Sequence, residues 1–295
     1  MSNQPKSISL VLGSGGARGH AHIGVIRAIA ERGHNINNIA GTSMGAVIGG
    51  IYAAGKLDTY VDWANRLEKN DVLKLLDFSF TWKSIFKGER IIEVLKELIG
   101  DCQIEELERD FTAVATSLSE QREVWLNSGS LFRAIRASTA VPGVFAPVEL
   151  DGVILVDGGL VNPIPIAPTL TDATDLTIAV NLSGLTDSYR PPADRKSAPA
   201  SKSDEGYREK ISQFIGSLME NGESDESDTD AADLLVKSID VMQGAIARLK
   251  LAAYTPDKVI DVPRDACSFF EFNRAEEMAE LGYKQASAAL DDLGL

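Results

Sequence analysis

Ser43 lies in the stretch "GTSMG", with Gly41 and Gly45 two positions away on either side, after an apolar run and before a helical one. That spacing suits a sharp strand-to-helix turn whose glycines keep the two elements from colliding and push the serine hydroxyl outward. The following helix then aims its free N–H groups and positive dipole end at the oxygen, favouring negative charge there. The same five residues also describe a Gly-rich turn with an idle serine, so partners have to decide between the two.

A serine hydroxyl at its free pKa is a poor nucleophile and needs a base. The chain has only three histidines, His20, His22 and His34, all ahead of Ser43. The Ser, Asp, His order of α/β-hydrolases is therefore not met. His20 and His22 open an expected helix and His34 follows its end, positions that read as solvent-facing or capping. Asp157 is better placed: in "VILVDGG" it ends an expected strand, and reactive groups in parallel sheets gather at the carboxyl ends of strands. A carboxylate with an ordinary pKa of about 3.9 is a weak base, so burial beside Ser43 is expected to raise it. An Asp-Gly turn without chemistry is the plainer reading of the same residues.

The third piece is "GSGGARG" (13–19), a glycine loop leading from a strand into a helix. The dinucleotide fingerprint fails, because Arg18 stands where its last glycine belongs, and the P-loop fails for want of a closing Lys and Ser or Thr. What remains is a run of backbone N–H groups at a helix N-terminus, suited to an anion or a developing oxyanion. Neighbouring strands lie about 4.8 Å apart, so the loop reaches a carbonyl attacked by Ser43 if the first two strands are adjacent. A non-catalytic anion- or nucleotide-binding module, with Ser43 only shaping a turn, is the competing reading from another functional class.

The elements that must position these residues alternate along the first half of the chain. "SISLVL" reads as a strand, His20 to Arg32 as a helix, "NNIAGT" as a strand and Met44 to Ala54 as a helix, the pattern of parallel βαβ units. Further strands are expected at 111–117, 123–128, 152–157, 176–183 and 257–263, with a last helix from about Arg274. Residues 1–184 form the catalytic core in this reading. Residues 185–295 hold linker loops, helices and a strand that complete the same domain. "NGESDESDTD" (221–230) reads as a solvated acidic loop, since it lacks the spaced ligands and central glycine of a calcium site. Leu235, Ile239, Met242, Ile246 and Leu249 recur at helical spacing and are expected to pack in the core.

With 295 residues, 44% of them apolar, the chain is long enough for a substantial core. A formal charge of −14 opposes binding to nucleic acid, whose phosphates require clustered Lys and Arg. The longest apolar stretch, Met44 to Gly55, falls short of the roughly 20 residues that span a bilayer. The N-terminal apolar run is too brief for a signal peptide, which points to a cytoplasmic location. Cys102 and Cys267 lack the paired spacing of a metal or redox site and read as reduced, packed thiols. One stretch, Phe78 to Arg90, interleaves Phe78, Phe80, Trp82 and Phe86 with Lys83, Lys87 and Arg90. It suits peripheral contact with a membrane, although a loop whose aromatics fill the core is the default for such a mixture.

In these three motifs, their order and their spacing, the sequence resembles the patatin-like phospholipase family over about Ser7 to Ser183. "GSGGARG" is similar to its oxyanion loop, "GTSMG" to its nucleophile elbow, "DGG" to its aspartate motif, and "ASTAVPGVFAPV" (137–148) to the segment before that aspartate. The resemblance implies a three-layer α/β/α fold around a mostly parallel sheet. It also implies hydrolysis of lipid acyl esters by a Ser43–Asp157 dyad, without metal or cofactor. Gly15 and Gly16 would be the oxyanion donors within an anion-binding stretch of Gly15, Gly16, Ala17, Arg18 and Gly19. Transfer of the acyl group to an acceptor other than water would use the same acyl-enzyme. Head group, chain length and oligomeric state are not encoded in these motifs.

Overall fold

A computed structural model describes residues 4–68, 71, 75, 84–185 and 227–295. In chain order the elements are β1 (Ser7–Leu12), α1 (Ala21–Glu31), β2 (Asn35–Thr42), α2 (Met44–Ala53), α3 (Leu57–Ala64), β3 (Ser84–Phe86), α4 (Glu89–Ile99), β4 (Asp110–Ser117) and β5 (Arg122–Leu126). They continue with α5 (Leu131–Ser138), β6 (Gly143–Phe145), β7 (Val148–Leu150), β8 (Val153–Asp157), β9 (Leu176–Gly184), α6 (Ser227–Ala253), β10 (Lys258–Pro263) and α7 (Ala275–Leu293).

The main sheet has the order β10-β9-β1-β2-β4-β8-β7, with β5 also paired to β4. Its first five strands are parallel, while β5, β7 and β8 run antiparallel to their neighbours. Strands β1 and β9 are buried on both faces, as their near-continuous apolar sequences require. One face, with Leu10, Leu12 and Val180, packs against α1, α2, α5 and α7. On the opposite face Val11 and Ala179 meet Ile164, Ile166 and Ala247 of α6. Helices α1 and α7 cross at backbone contact: a Cβ on Gly24 would lie 1.9 Å from the Ala279 carbonyl, and one on Gly282 equally close to that of Ala21. Strand β10 brings the C-terminal part of the chain into the same sheet.

Strand β4 sets the geometry of the site. Its residues Asp110–Val114 pair with β2, and Ala115–Ser117 pair with β8. Strand β5 pairs with Ala113–Ser117, overlapping both, so it takes one edge of β4 while β2 and β8 share the other. They run in opposite directions and meet head to head: Thr42 faces Val114 and Asp157 faces the next residue, Ala115. The carboxyl ends of β2 and β8 therefore converge because β8 is antiparallel, and not, as expected from sequence, because both strands belong to a parallel set.

Three further expectations are corrected. The helix expected from His20 begins instead with a 3₁₀ turn over Gly16–His20, and α1 follows from Ala21. Of the acidic stretch 221–230, residues 227–230 are the first turn of α6 and the remainder lies outside the described residues. The apolar stripe on α6 packs only in part: Ile239 is buried and Ile246 half-buried, but Leu235, Met242 and Leu249 are 45%, 49% and 71% exposed, and Gln243 and Ala247 complete the buried face. Small and polar residues let this helix approach the sheet closely, and helical spacing of large side chains cannot register such a face. Phe78, Phe80, Trp82 and Lys83 lie outside the described residues; Phe86 packs against Phe145 in a small apolar cluster with Val141, Val144 and Ile239. Both cysteines are free thiols, Cys267 buried and Cys102 partly so.

Candidate active site

Ser43 occupies a backbone conformation, φ 56° and ψ −121°, that L residues adopt only under constraint, at a cost of about 1–3 kcal/mol. The elbow glycines make it feasible. A Cβ on Gly41 would sit 2.4 Å from the Gly45 carbonyl, and one on Gly45 would sit 2.1 Å from that of Leu12. Strand β2, helix α2 and the end of β1 thus touch through bare backbone. The Ser43 N–H donates to the Ser138 hydroxyl at 2.9 Å, and that hydroxyl donates to the Val114 carbonyl at 2.7 Å.

Asp157, at the tip of β8, is almost wholly buried, as is Ser43, with 2% and 6% exposure. Its N–H donates to the Ala140 carbonyl, and its Oδ1 accepts from the N–H of Gly159 at 2.7 Å. Its Oδ2 is buried and has no hydrogen-bond partner among the described residues. Burial pushes the Asp157 carboxyl up to about 6, against the opposing influence of the nearby Ser43 hydroxyl and the Gly159 N–H. Ser43 and Asp157 therefore lie side by side with one carboxylate oxygen uncommitted. A Cβ on Gly158 would strike the Val114 carbonyl at 2.1 Å, so the turn after Asp157 is pressed against β4.

The glycine loop lies beside both, since β1 and β2 are neighbours. Its N–H groups divide into two sets. Those of Gly13, Ser14 and Ala17 donate to the carbonyls of Val180, Pro163 and Phe269. Those of Gly15 and Gly16 have no such partner among the described residues. Gly16 has φ +55°, and a Cβ there would lie 2.6 Å from the Phe269 carbonyl, so the loop admits no side chain at that position. Gly19 packs on the side chain of Met44, the residue after the serine.

Arg18 does not point its charge toward Ser43. Its buried guanidinium pairs with Asp240 of α6 and donates to the carbonyls of Arg264 and, more weakly, Cys267. Arg18 thereby ties the loop to α6 and to the segment after β10.

His20 and His22 are fully buried, which corrects the solvent-facing reading. Because a carbonyl only accepts, His22 Nε2 donates to Gly13 O at 2.8 Å and His20 Nδ1 donates to Ala17 O at 3.1 Å. His20 Nε2 then accepts from the Tyr60 hydroxyl at 3.0 Å. Burial lowers both imidazoles to about 4, so they are neutral at pH 7. They grip the carbonyls at either end of the glycine loop. His34 is buried at the end of α1 and accepts from the Lys6 N–H.

Sequence reasoning missed two polar side chains. Ser138, in the "ASTAVPG" segment, carries no local signal of its role because its partners are backbone groups of β4 and the elbow. Gln243, on the buried face of α6, accepts from the Ser14 hydroxyl at 3.0 Å. A glutamine inside an otherwise apolar and small-residue helix face was the available clue.

Residues 10–170 match the model of the patatin-like phospholipases. The chain is 39% identical to an uncharacterised NTE family protein of Mycobacterium tuberculosis, over 98% of this chain and 92% of that one. A neuropathy target esterase of Drosophila persimilis is 36% identical over 54% of this chain and 12% of its own length. The lysophospholipase nte1 of Emericella nidulans is 33% identical over 62% of this chain and 12% of its own. The solved structure of VipD from Legionella pneumophila aligns with a TM-score of 0.49 at 16% identity, covering 98% of this chain and 67% of that chain. With more than half of its length matched to the family model and nearly all of it to an NTE family relative, the chain belongs to the patatin-like phospholipase family.

Proposed function

We propose that this protein hydrolyses acyl esters of lipids through an acyl-enzyme on Ser43, with Asp157 as the base. The observation that carries the reading is the uncommitted Oδ2 of a buried Asp157 beside the hydroxyl of a strained Ser43. Asp157 accepts the hydroxyl proton as Ser43 Oγ attacks the ester carbonyl carbon. The carbonyl oxygen becomes an oxyanion that accepts from the N–H groups of Gly15 and Gly16, which donate to no backbone carbonyl outside the helices among the described residues. Collapse breaks the bond to the alcohol, which leaves with the proton from Asp157. Water then attacks the acyl-enzyme, giving its proton to Asp157, and the Ser43 oxygen takes that proton back as the fatty acid departs.

Within the glycine loop we assign Ala17, Arg18 and Gly19 a supporting role. The Ala17 N–H and the Arg18 charge are engaged elsewhere, and Gly19 makes room for Met44. Lipid acyl esters are the favoured class because the more distant relatives carry the names esterase and lysophospholipase. The test is hydrolysis of a lysophospholipid and of a short-chain nitrophenyl ester by the wild type, Ser43→Ala and Asp157→Asn. Each variant is expected to lose at least about a thousandfold in kcat while keeping the wild-type melting profile. Full activity in either variant removes that residue from the mechanism.

A further inference from the structure

Helix α6 crosses the turn that follows Asp157, and Gln243 is the polar residue it inserts there. The side chain is buried, and its Oε1 is fixed by the Ser14 hydroxyl at 3.0 Å. With Oε1 so held, the amide nitrogen faces the turn: a Cβ built on Gly159 would lie 2.5 Å from Gln243 Nε2, 3.0 Å from Asp157 Oδ1 and 3.0 Å from Ser14 Oγ. Three polar groups from three elements thus surround one glycine. That glycine's N–H is the donor to Asp157 Oδ1, and Ser14 immediately precedes the Gly15 and Gly16 donors. Glycine is required at 159 because any side chain would occupy the space the three groups share.

We propose that Gln243 is a positioning residue for the Ser43–Asp157 chemistry, holding Ser14 with its carbonyl oxygen and presenting its amide N–H groups toward the side of the Asp157 carboxylate. This rests on the proposed dyad and deepens it. Through Ser14, Gln243 sets where the loop donors stand; through its amide dipole, it favours the ionised carboxylate. The charged groups on the surrounding elements are otherwise engaged. Arg18 and Asp240 pair with each other, and Arg136 of α5 is held by the carbonyls of Lys87 and Ala146 and by Glu89. Lys237 lies six residues before and Arg248 five residues after Gln243 on α6, both of them exposed, with Arg248 Nη1 3.7 Å from where a Cβ on Gly244 would stand, and His20 and His22 are neutral. A neutral amide is therefore the polar side chain of α6 nearest the carboxylate, and replacing it with a carboxylate is a sensitive probe.

The experiment is the pH profile of kcat/KM for the full chain as wild type, Gln243→Glu, Gln243→Ala and Ser43→Ala, on a soluble short-chain ester. Gln243→Glu keeps the shape and the acceptor for Ser14 but exchanges the donor for a second acid. Its acid limb is expected to move up by about one pH unit. Gln243→Ala is expected to lower kcat with KM near the wild-type value, because the loop donors lose their brace. An acid limb unmoved in Gln243→Glu, with the Ser43→Ala control inactive, overturns the proposal while leaving the dyad intact. Activity retained in Ser43→Ala overturns the dyad itself, whatever Gln243 does. Should Gln243→Glu fail to fold, Ser14→Ala gives the second reading: a kcat loss matching that of Gln243→Ala supports the pairing, and an undiminished kcat contradicts it.

Discussion

The N–H of Ser43 is held by the hydroxyl of Ser138, which itself donates to the Val114 carbonyl of β4. A single side chain on α5 thereby fastens the elbow to the strand against which β2 and β8 meet. The strained φ of Ser43 persists because this bond and the glycine contacts leave the chain no room to relax.

Removing that hydroxyl leaves a buried N–H and a buried carbonyl each short of a partner. Ser138→Ala is expected to destabilise the fold by about 1–3 kcal/mol, read from denaturant unfolding. It is also expected to lower kcat more than it raises KM, since the placement of Ser43, the proposed nucleophile, is what loosens. Wild-type stability and kcat together would show that the bridge is dispensable.

The raised pKa of Asp157 fixes the pH dependence of the proposed reaction. A base must be ionised, and this carboxyl ionises near 6, so kcat/KM is expected to fall about tenfold per pH unit below 6 and to level off above it. In stability the sign is opposite. The folded state holds this proton more tightly than the unfolded chain, so the carboxyl favours folding below its unfolded value of 3.8, and that contribution is lost as pH rises through about 6. An acid limb near 4 in the wild type would mean that burial does not tune this group.

His20 and His22 make the converse contribution. The folded protein refuses protons that the unfolded chain accepts between 6.5 and about 4, so stability present above 6.5 is lost as pH falls through that window. In His22→Gln the amide nitrogen can still donate to Gly13 O, but one of the titrations is gone. Its melting temperature is expected to fall less steeply between pH 6.5 and 4.5 than that of the wild type. Parallel curves would show that His22 is not held neutral.

How far these features were legible in the sequence depends on how local their causes are. The strand–turn–helix at Ser43 follows from glycines two positions away and from the apolar runs flanking them, all within 20 residues, and it reads directly. Asp157 reads as a strand end, but the direction of β8 does not, because an antiparallel return depends on pairing with β4 some 40 residues earlier. His20 and His22 look like helix-opening polar residues, and only the packing of α1 beneath the loop turns them inward. The α6 stripe shows the reverse failure: of its large apolar residues Leu235, Met242 and Leu249 are exposed and Ile239 is buried, while Gln243 and Gly244 are also buried. Ser138 and Gln243 act through partners 95 and 229 residues away, a separation that no local pattern encodes.

The central claim is that Ser43 is the residue that takes the acyl group. Its most direct test is labelling with a fluorophosphonate, read by intact mass and by peptide mapping. One adduct on the wild type is expected, mapped to Ser43, with none on Ser43→Ala and much slower labelling of Asp157→Asn. An adduct that persists in Ser43→Ala, or that maps to any other residue, would contradict it.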